Sequence, residues 1–313
     1  MVSVIIPIYN VSPYVERCLY SVLNQTYEDL DLILIDDCGT DNSMNIVSNI
    51  IEKYVGNKKI SVFKHERNRG LSAARNTGIK NATGDYLLFL DSDDEIPLNA
   101  VEMMLEPTKE NLDFVVGNIK VFGSDMFRFN FSLPSGLVIG NDSILDSYIE
   151  GKWYSMSVNK LIRKDFVLKN DLFFKEGILH EDELWSFKLA LKANRMYVLR
   201  DYTYNYYIRN DSITGNVTVQ NYESNAVILV EKYALIKVLD RLNLFLYILK
   251  LTLDFYFSLL VFRPPYKILK DINFQLRENM KLNWSYMRYL NLSYKLKYIL
   301  FRVPYFFFKY ICS

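Results

Sequence analysis

Cysteine and histidine are both scarce in this 313-residue chain, which has three of the first and two of the second. Cys18, Cys38 and Cys312 show no metal-ligand spacing and no paired framework, which argues against a disulfide-stapled scaffold and suits a reducing compartment. His65 and His180 lack a second ligand at metal-binding spacing, so neither marks a histidine metal centre. A basic leader with a cleavage-type segment is missing where an apolar strand begins at Val2, and no secretory signal is expected. Long unbroken apolar runs are missing too. The longest, Leu244 to Phe262, is interrupted by Lys250 and Asp254, four apart on one helical face, so a buried or interfacial helix is expected rather than a clean span. Internal repeats and low-complexity linkers are absent. There is no overall excess of one charge: the formal net charge of +1 argues against a protein that is basic throughout, and a nucleic-acid partner is not expected.

Half of the residues are apolar, enough for one sizeable core and a smaller appended region. The balanced charge conceals a gradient. From Arg263 to Ser313 ten Lys or Arg face only Asp271 and Glu278, a net +8 that leaves −7 for the rest of the chain. A mildly acidic body with a basic, aromatic tail implies two jobs, the second at an anionic surface.

The first hundred residues alternate between short β-rich runs and helical spacing. Val2 to Tyr9, Leu30 to Ile35, Ile60 to Lys64 and Asp85 to Leu90 read as strands. Ser12-Pro13 supplies an N-cap and first-turn proline to a helix carrying Val15, Cys18, Leu19, Val22 and Leu23. Ile46, Val47, Ile50, Ile51 and Tyr54 mark a second helix, and a third begins near Leu71. This rhythm predicts an α/β fold with a mostly parallel, doubly wound, Rossmann-like sheet and flanking helices, whose ligands gather at the carboxyl ends of the strands. From about Asp113 the pattern is less regular and reads as mixed strands and longer loops. Beyond Asn221 helical spacing dominates, giving a C-terminal helical region.

The strand ends carry the chemistry. Asp91-Ser92-Asp93-Asp94 follows Tyr86 to Leu90 and puts three carboxylates at the sheet's rim, where like charges repel unless a cation or hydrogen-bond donors compensate them. A divalent Mg²⁺ or Mn²⁺ ion bridging one or two carboxylates to a diphosphate suits them; an acidic turn capping a helix near Pro97 suits them equally. Asp36-Asp37 ends the second strand, where a carboxylate can accept from a base or ribose, while Asp41 or Ser43 supplies the next helix cap. Asn68 to Gly78 combines a flexible entry, small helix residues and Arg75, which faces either phosphate or base oxygens or only solvent.

In order, Val2 to Asn10, Leu34-Ile35-Asp36-Asp37, the Ala-Arg-Asn-x-Gly core within Asn68 to Gly78, and Asp91-Ser92-Asp93 resemble the nucleotide-sugar glycosyltransferases of family 2, which have the GT-A fold. The likeness is close over roughly residues 1–105 and looser to about Thr214. Cys38-Gly39 departs from the Gly-Ser that more often precedes Thr-Asp in that family, which changes the turn. The resemblance implies a nucleotide-sugar half at 1–105, an acceptor and catalytic half at 106–220, and the helical region at 221–313. It implies that Pro7 and Tyr9 stack on the donor base, that Asp37 accepts its ring N–H, and that Arg75 contacts the nucleotide. Asp93 is then the direct metal ligand, and Asp91 supports the ribose or the hydrated metal. Uridine is the commonest base in such proteins, so a UDP-sugar donor is expected.

In the second half, Glu176 to Trp185 sets Glu181, Asp182 and Glu183 before a helical stretch. By itself this is an acidic helix start, favourable to the helix dipole. The family resemblance makes Asp182 the general base of an inverting transfer, with Glu181 the nearest rival. Trp153 either stacks on a sugar ring or belongs to the core. Lys160 and, in a closing loop, Arg209 are candidate diphosphate or acceptor contacts.

In the tail, Lys281, Arg288, Lys295, Arg302 and Lys309 recur every seven residues beside an aromatic-rich surface, the composition of an interfacial membrane helix; packing on the catalytic body or a homodimer contact is the alternative. The chain is expected to act in surface polysaccharide or lipid-linked oligosaccharide synthesis, in the cytoplasm at the cytoplasmic face of the inner membrane. A noncatalytic nucleotide- or glycan-binding module on the same fold is the rival reading. A nucleotidyltransferase would need a glycine-rich basic loop after the first strand, which Ser12 to Glu16 is not.

Overall fold

The structure, a computed structural model, describes residues 1–123, 131–208, 218–239, 241–262, 266–280 and 288–302, except for the side chains of 260, 266, 269, 273, 279, 300 and 302. It divides into two compact units, Met1–Gly177 with Glu181–Ile213, and Ile178–His180 with Thr214–Ser313.

The first unit is built on one eight-stranded sheet. In chain order its elements are β1 (Val2–Ile8), α1 (Val15–Leu23), β2 (Leu30–Asp36), α2 (Ser43–Lys53), β3 (Lys59–Lys64), α3 (Leu71–Asn81), β4 (Tyr86–Phe89) and α4 (Ala100–Leu105). There follow β5 (Phe114–Phe122), β6 (Gly136–Ile139), α5 (Asn141–Ile149), β7 (Lys160–Arg163), α6 (Lys164–Lys169), α7 (Glu181–Lys192) and β8 (Arg195–Tyr207). The strand order is β3-β2-β1-β4-β7-β5-β8-β6. The first four strands are parallel, β7 runs antiparallel to both β4 and β5, and β8 is parallel to β5 but antiparallel to β6. The sheet is therefore mixed, and only its first half has the all-parallel order that the β-α-β rhythm predicts. The reversal rests on the four-residue β7, too short to show a period.

Every residue of β1 and β2 is buried, as expected of parallel strands covered on both faces. Pro7 is tolerated in a central strand because its missing N–H falls on the β4 side, where pairing stops at Ile5–Phe89 and Leu90 donates to Ile5 O. α3 lies close against β1: a Cβ added at Gly78 would sit 2.3 Å from Ile5 Cγ2. α1 starts at Val15 with no side-chain cap, and Ser12 N–H instead donates to Asp41 Oδ2 at 2.8 Å. The N-cap expected of Ser12 is therefore not made. Asp41 Oδ1 accepts from both Ser43 N and Ser43 Oγ, tying the start of α2 to the tip of β1.

The second unit contains α8 (Val219–Ile236), α9 (Leu242–Phe262), α10 (Tyr266–Asn279) and α11 (Leu292–Arg302). Thr218 and Asn221 form a reciprocal capping box at the start of α8. α9 is long and apolar enough to cross a membrane. It buries Leu244, Ile248, Leu249, Leu253, Tyr256 and Leu259, and its Asp254 accepts from Tyr294 Oη and Lys297 Nζ on α11. Lys281, Lys309 and the Arg302 side chain of the expected basic stripe lie outside the described residues.

Candidate functional site

The carboxyl ends of β1, β2 and β4 share one rim, and polar bonds stitch it. Asn10, in the left-handed conformation just past β1, accepts from Thr40 N at 2.8 Å and Asp41 N at 3.3 Å. Tyr9 beside it is 45% exposed, whereas Pro7 is buried. Cys38 takes φ +60°, a conformation that favours glycine, so the departure from the family's Gly-Ser turn puts a side chain in a strained position.

Asp37 is buried and well occupied. Its Oδ1 accepts from Arg69 N–H at 2.9 Å and lies 2.6 Å from His65 Nδ1; its Oδ2 accepts from Gly70 N–H at 2.8 Å. His65 is a partner that spacing does not reveal, because the two residues are brought together only by the parallel β2–β3 pairing.

Arg75 is the centre of the site. It projects from α3 with 3% exposure, donating from Nη1 to Glu181 Oε1 at 2.6 Å and from Nη2 to Asp91 Oδ1 at 2.7 Å. Its guanidinium lies 5.2 Å from the centroid of Phe174, which stacks on Trp185. Desolvation opposes its charge, but the carboxylates of Asp91, Glu181 and Asp182 outweigh that and hold it protonated. The expected nucleotide contact is thus an ionic bridge in this structure.

Asp91 and Asp93 are half-buried, and Arg17 Nη2 donates to Asp93 O at 2.6 Å. Asp94 turns inward, accepting from Tyr204 Oη at 2.8 Å and Tyr207 N–H at 2.8 Å. Burial, then the charges of Asp93 and Asp91, push its carboxyl up to about 8. Asp91 and Asp93 stand two residues apart on the same strand-tip turn and offer hard oxygen donors, so they fit a divalent cation. Among the described residues no group of three ligating side chains could hold an ion alone, so diphosphate oxygens and water would have to complete its shell.

Glu181 and Asp182 open α7. Glu181 is committed to Arg75, whereas Asp182 is half-buried and accepts from Glu183 N–H at 3.0 Å. Burial, then the Glu181 charge, raises the Asp182 carboxyl to about 7 against the opposing pull of Arg75.

Trp153 and Lys160 lie away from this rim's exposed surface. Trp153 is 2% exposed, donates to Ser147 Oγ at 2.9 Å and packs on Phe114 and Tyr148, which makes it core. Lys160 is fully buried, with Nζ donating to Tyr154 O at 3.1 Å and to Met156 O, and burial lowers its ammonium to about 7. As placed, it cannot reach a solvent-borne diphosphate. Arg209 lies outside the described residues.

Comparison with known proteins bears on the family and the fold. The family model for glycosyl transferase family 2 matches residues 3–169. The chain is 34% identical over 221 residues to the poly(ribitol-phosphate) beta-N-acetylglucosaminyltransferase TarP of Staphylococcus aureus, covering 69% of this chain and 64% of that protein. It superposes on the crystal structure of S. aureus TarS 1-349 in complex with UDP-GlcNAc with a TM-score of 0.66 at 23% identity, over 96% of this chain and 79% of that one. A more distant likeness, TM-score 0.55 at 17% identity over 99% and 83% of the two chains, is to the mannosyltransferase PcManGT of Pyrobaculum calidifontis in complex with GDP-Man and Mn²⁺. At these identities the two structures establish the GT-A fold.

Proposed function

The chain belongs to glycosyl transferase family 2 and is a glycosyltransferase, and from that premise we propose that it moves a sugar with inversion from a UDP-sugar to an acceptor hydroxyl of a surface polymer or lipid-linked saccharide. The observation that carries the reading is the chain of ion pairs Asp91–Arg75–Glu181, which ties a strand-tip carboxylate to the acidic start of α7, where Asp182 follows. The exposed Tyr9 stacks on the base, backed by the buried Pro7 at the end of β1, and Asp37 accepts its ring N–H. Asp93 would hold a divalent ion and Asp91 would support the ribose or the ion's water; such an ion would neutralise charge on the departing diphosphate. Asp182 takes the proton from the acceptor hydroxyl, whose oxygen attacks the sugar's C1 from the face opposite UDP, so the C1–O bond to the diphosphate breaks as the new one forms. The uridine base is supported by the TarS complex and the polymer acceptor by the activity that TarP's name gives.

UDP release from a panel of UDP-sugars, with and without Mn²⁺, tests the reading and separates it from a noncatalytic binding module. Release is expected with at least one donor, stimulated by Mn²⁺ and abolished in Asp93→Ala; full activity of Asp93→Ala removes the metal assignment.

We further propose attachment to the cytoplasmic face of an anionic membrane. On α11 Leu292, Leu296 and Ile299 are 74%, 55% and 45% exposed at positions i, i+4 and i+7, an apolar stripe left uncovered by the described residues in a segment of net +8. A Leu292→Glu/Leu296→Glu variant is expected to lose most of its co-sedimentation with phosphatidylglycerol vesicles while UDP release in solution is unchanged. Equal sedimentation of the two proteins would refute the attachment.

A further inference from the structure

Asp37, the carboxylate assigned to the donor base, is held by a side chain that the transfer itself does not use. His65 follows β3, donates its backbone N–H to Asp36 O at 2.9 Å and is 6% exposed. Its ring spans two elements, with Nδ1 2.6 Å from Asp37 Oδ1 and Nε2 2.9 Å from Thr77 Oγ1 on α3. An ionised carboxylate only accepts, so Nδ1 carries a proton and donates to Oδ1, while Nε2 meets the Thr77 hydroxyl.

The carboxylate's accounting is then nearly complete. It offers about four lone-pair directions. His65 and Arg69 N–H occupy Oδ1 and Gly70 N–H occupies one direction on Oδ2. What is left is one acceptor direction, on Oδ2, in a side chain that cannot rotate without breaking three bonds.

We infer that His65 is a positioning residue for base selection: by fixing Oδ1 it leaves Asp37 a single acceptor direction, complementary to the imide N–H of uracil and repulsive to the N3 lone pair of cytosine. The inference rests on the reading that Asp37 meets the donor base. A uracil N–H satisfies the remaining direction, whereas neutral cytosine has no hydrogen at N3 and sets lone pair against carboxylate. With the His65 bond removed, the two backbone N–H bonds still hold the carboxylate but a second acceptor direction opens on Oδ1, which accepts from the cytosine amine, so what changes is the preference between bases rather than binding as such.

Calorimetric titration of the full chain with UDP and with CDP, both in Mn²⁺, reads this preference. The wild type is expected to favour UDP by about ten- to a hundredfold, the size of one hydrogen bond to a charged group. His65→Gln fills the space but directs its amide toward Thr77, and its preference is expected to fall to about threefold or less. His65→Asn keeps a donor near the Nδ1 position and is expected to restore most of the preference. A role confined to stability would lower the melting temperature of both variants and leave their UDP-to-CDP ratios at the wild-type value. Unchanged ratios in both variants overturn the inference, as does loss in both, which would mean that bulk and not Nδ1–H donation matters. Asp37→Asn separates the layers: if it keeps the wild-type ratio, Asp37 does not read the base and the parent assignment fails. If Asp37→Asn loses the ratio while His65→Gln keeps it, only the inference fails.

Discussion

Asp182→Asn is expected to lower turnover by roughly a hundredfold or more while UDP affinity stays at the wild-type value, because a general base acts on the acceptor and not on the donor. Glu181 is the obvious competitor for this role, but its Oε1 is held by Arg75 at 2.6 Å. A fast Asp182→Asn enzyme beside a slow Glu181→Gln would reassign the base. The raised Asp182 carboxyl, near 7, gives the proposal a pH signature. The base works only when deprotonated, so wild-type turnover should fall as pH drops below about 7. Stability moves the other way. A carboxyl whose pKa is higher in the folded chain than in the unfolded one stabilises the fold fully below the unfolded value near 4 and loses that contribution as pH rises through the folded value near 7. Asparagine stays neutral throughout, so the melting temperature of Asp182→Asn relative to wild type should increase between pH 5 and pH 8. A flat difference across that range would show that Asp182 is not held at raised pKa.

Arg75→Met should cost stability as heavily as any substitution in the first unit. The methionine approximates the stem but leaves Glu181, 7% exposed, and the Arg75-facing oxygen of Asp91 without their cation. Breaking one side of such a buried pair typically costs about 3–5 kcal/mol, since the remaining charge stays desolvated. Urea unfolding should show this as a lower midpoint with an unchanged slope. Adding Glu181→Gln should return part of the loss, because a neutral amide no longer needs the guanidinium. If Arg75→Met unfolds at the wild-type urea midpoint, the bridge contributes nothing, and the observation on which the proposed function leans loses its force.

The sequence shows the parallel half of the sheet plainly because β1 and β2 are contiguous apolar runs ending in polar residues, and covered parallel strands have that pattern. β7 was hidden for the opposite reason: Lys160 to Arg163 is four residues with a lysine at the start, and its burial depends on β4 and β5, which flank it. The carboxylate-rich rim was legible as a motif, but its wiring was not. Arg75 meets Asp91 and Glu181 across 16 and 106 residues, and His65 meets Asp37 across 28, separations that leave no local period. Arg17, which stacks at 3.5 Å over Tyr207 and donates to Asp93 O, had no signal either, since it reads as an ordinary solvent-facing charge on α1. Lys160 misleads in the other direction. A cation between polar neighbours suggests a ligand for phosphate, yet the chain buries it to satisfy carbonyls of the 154–156 loop.

The fit of Gly78 against Ile5 has a consequence one turn away on the same helix. Arg75 lies one turn earlier on α3, so the clearance beneath Gly78 governs how far the guanidinium extends toward its two carboxylates. A methyl group there would act as a shim, raising the whole helix and slackening both salt links at once. The geometry of the Asp91–Arg75–Glu181 bridge is therefore written partly into a residue outside it, and drift at that position would present as a loosened bridge with its origin in the floor of the sheet.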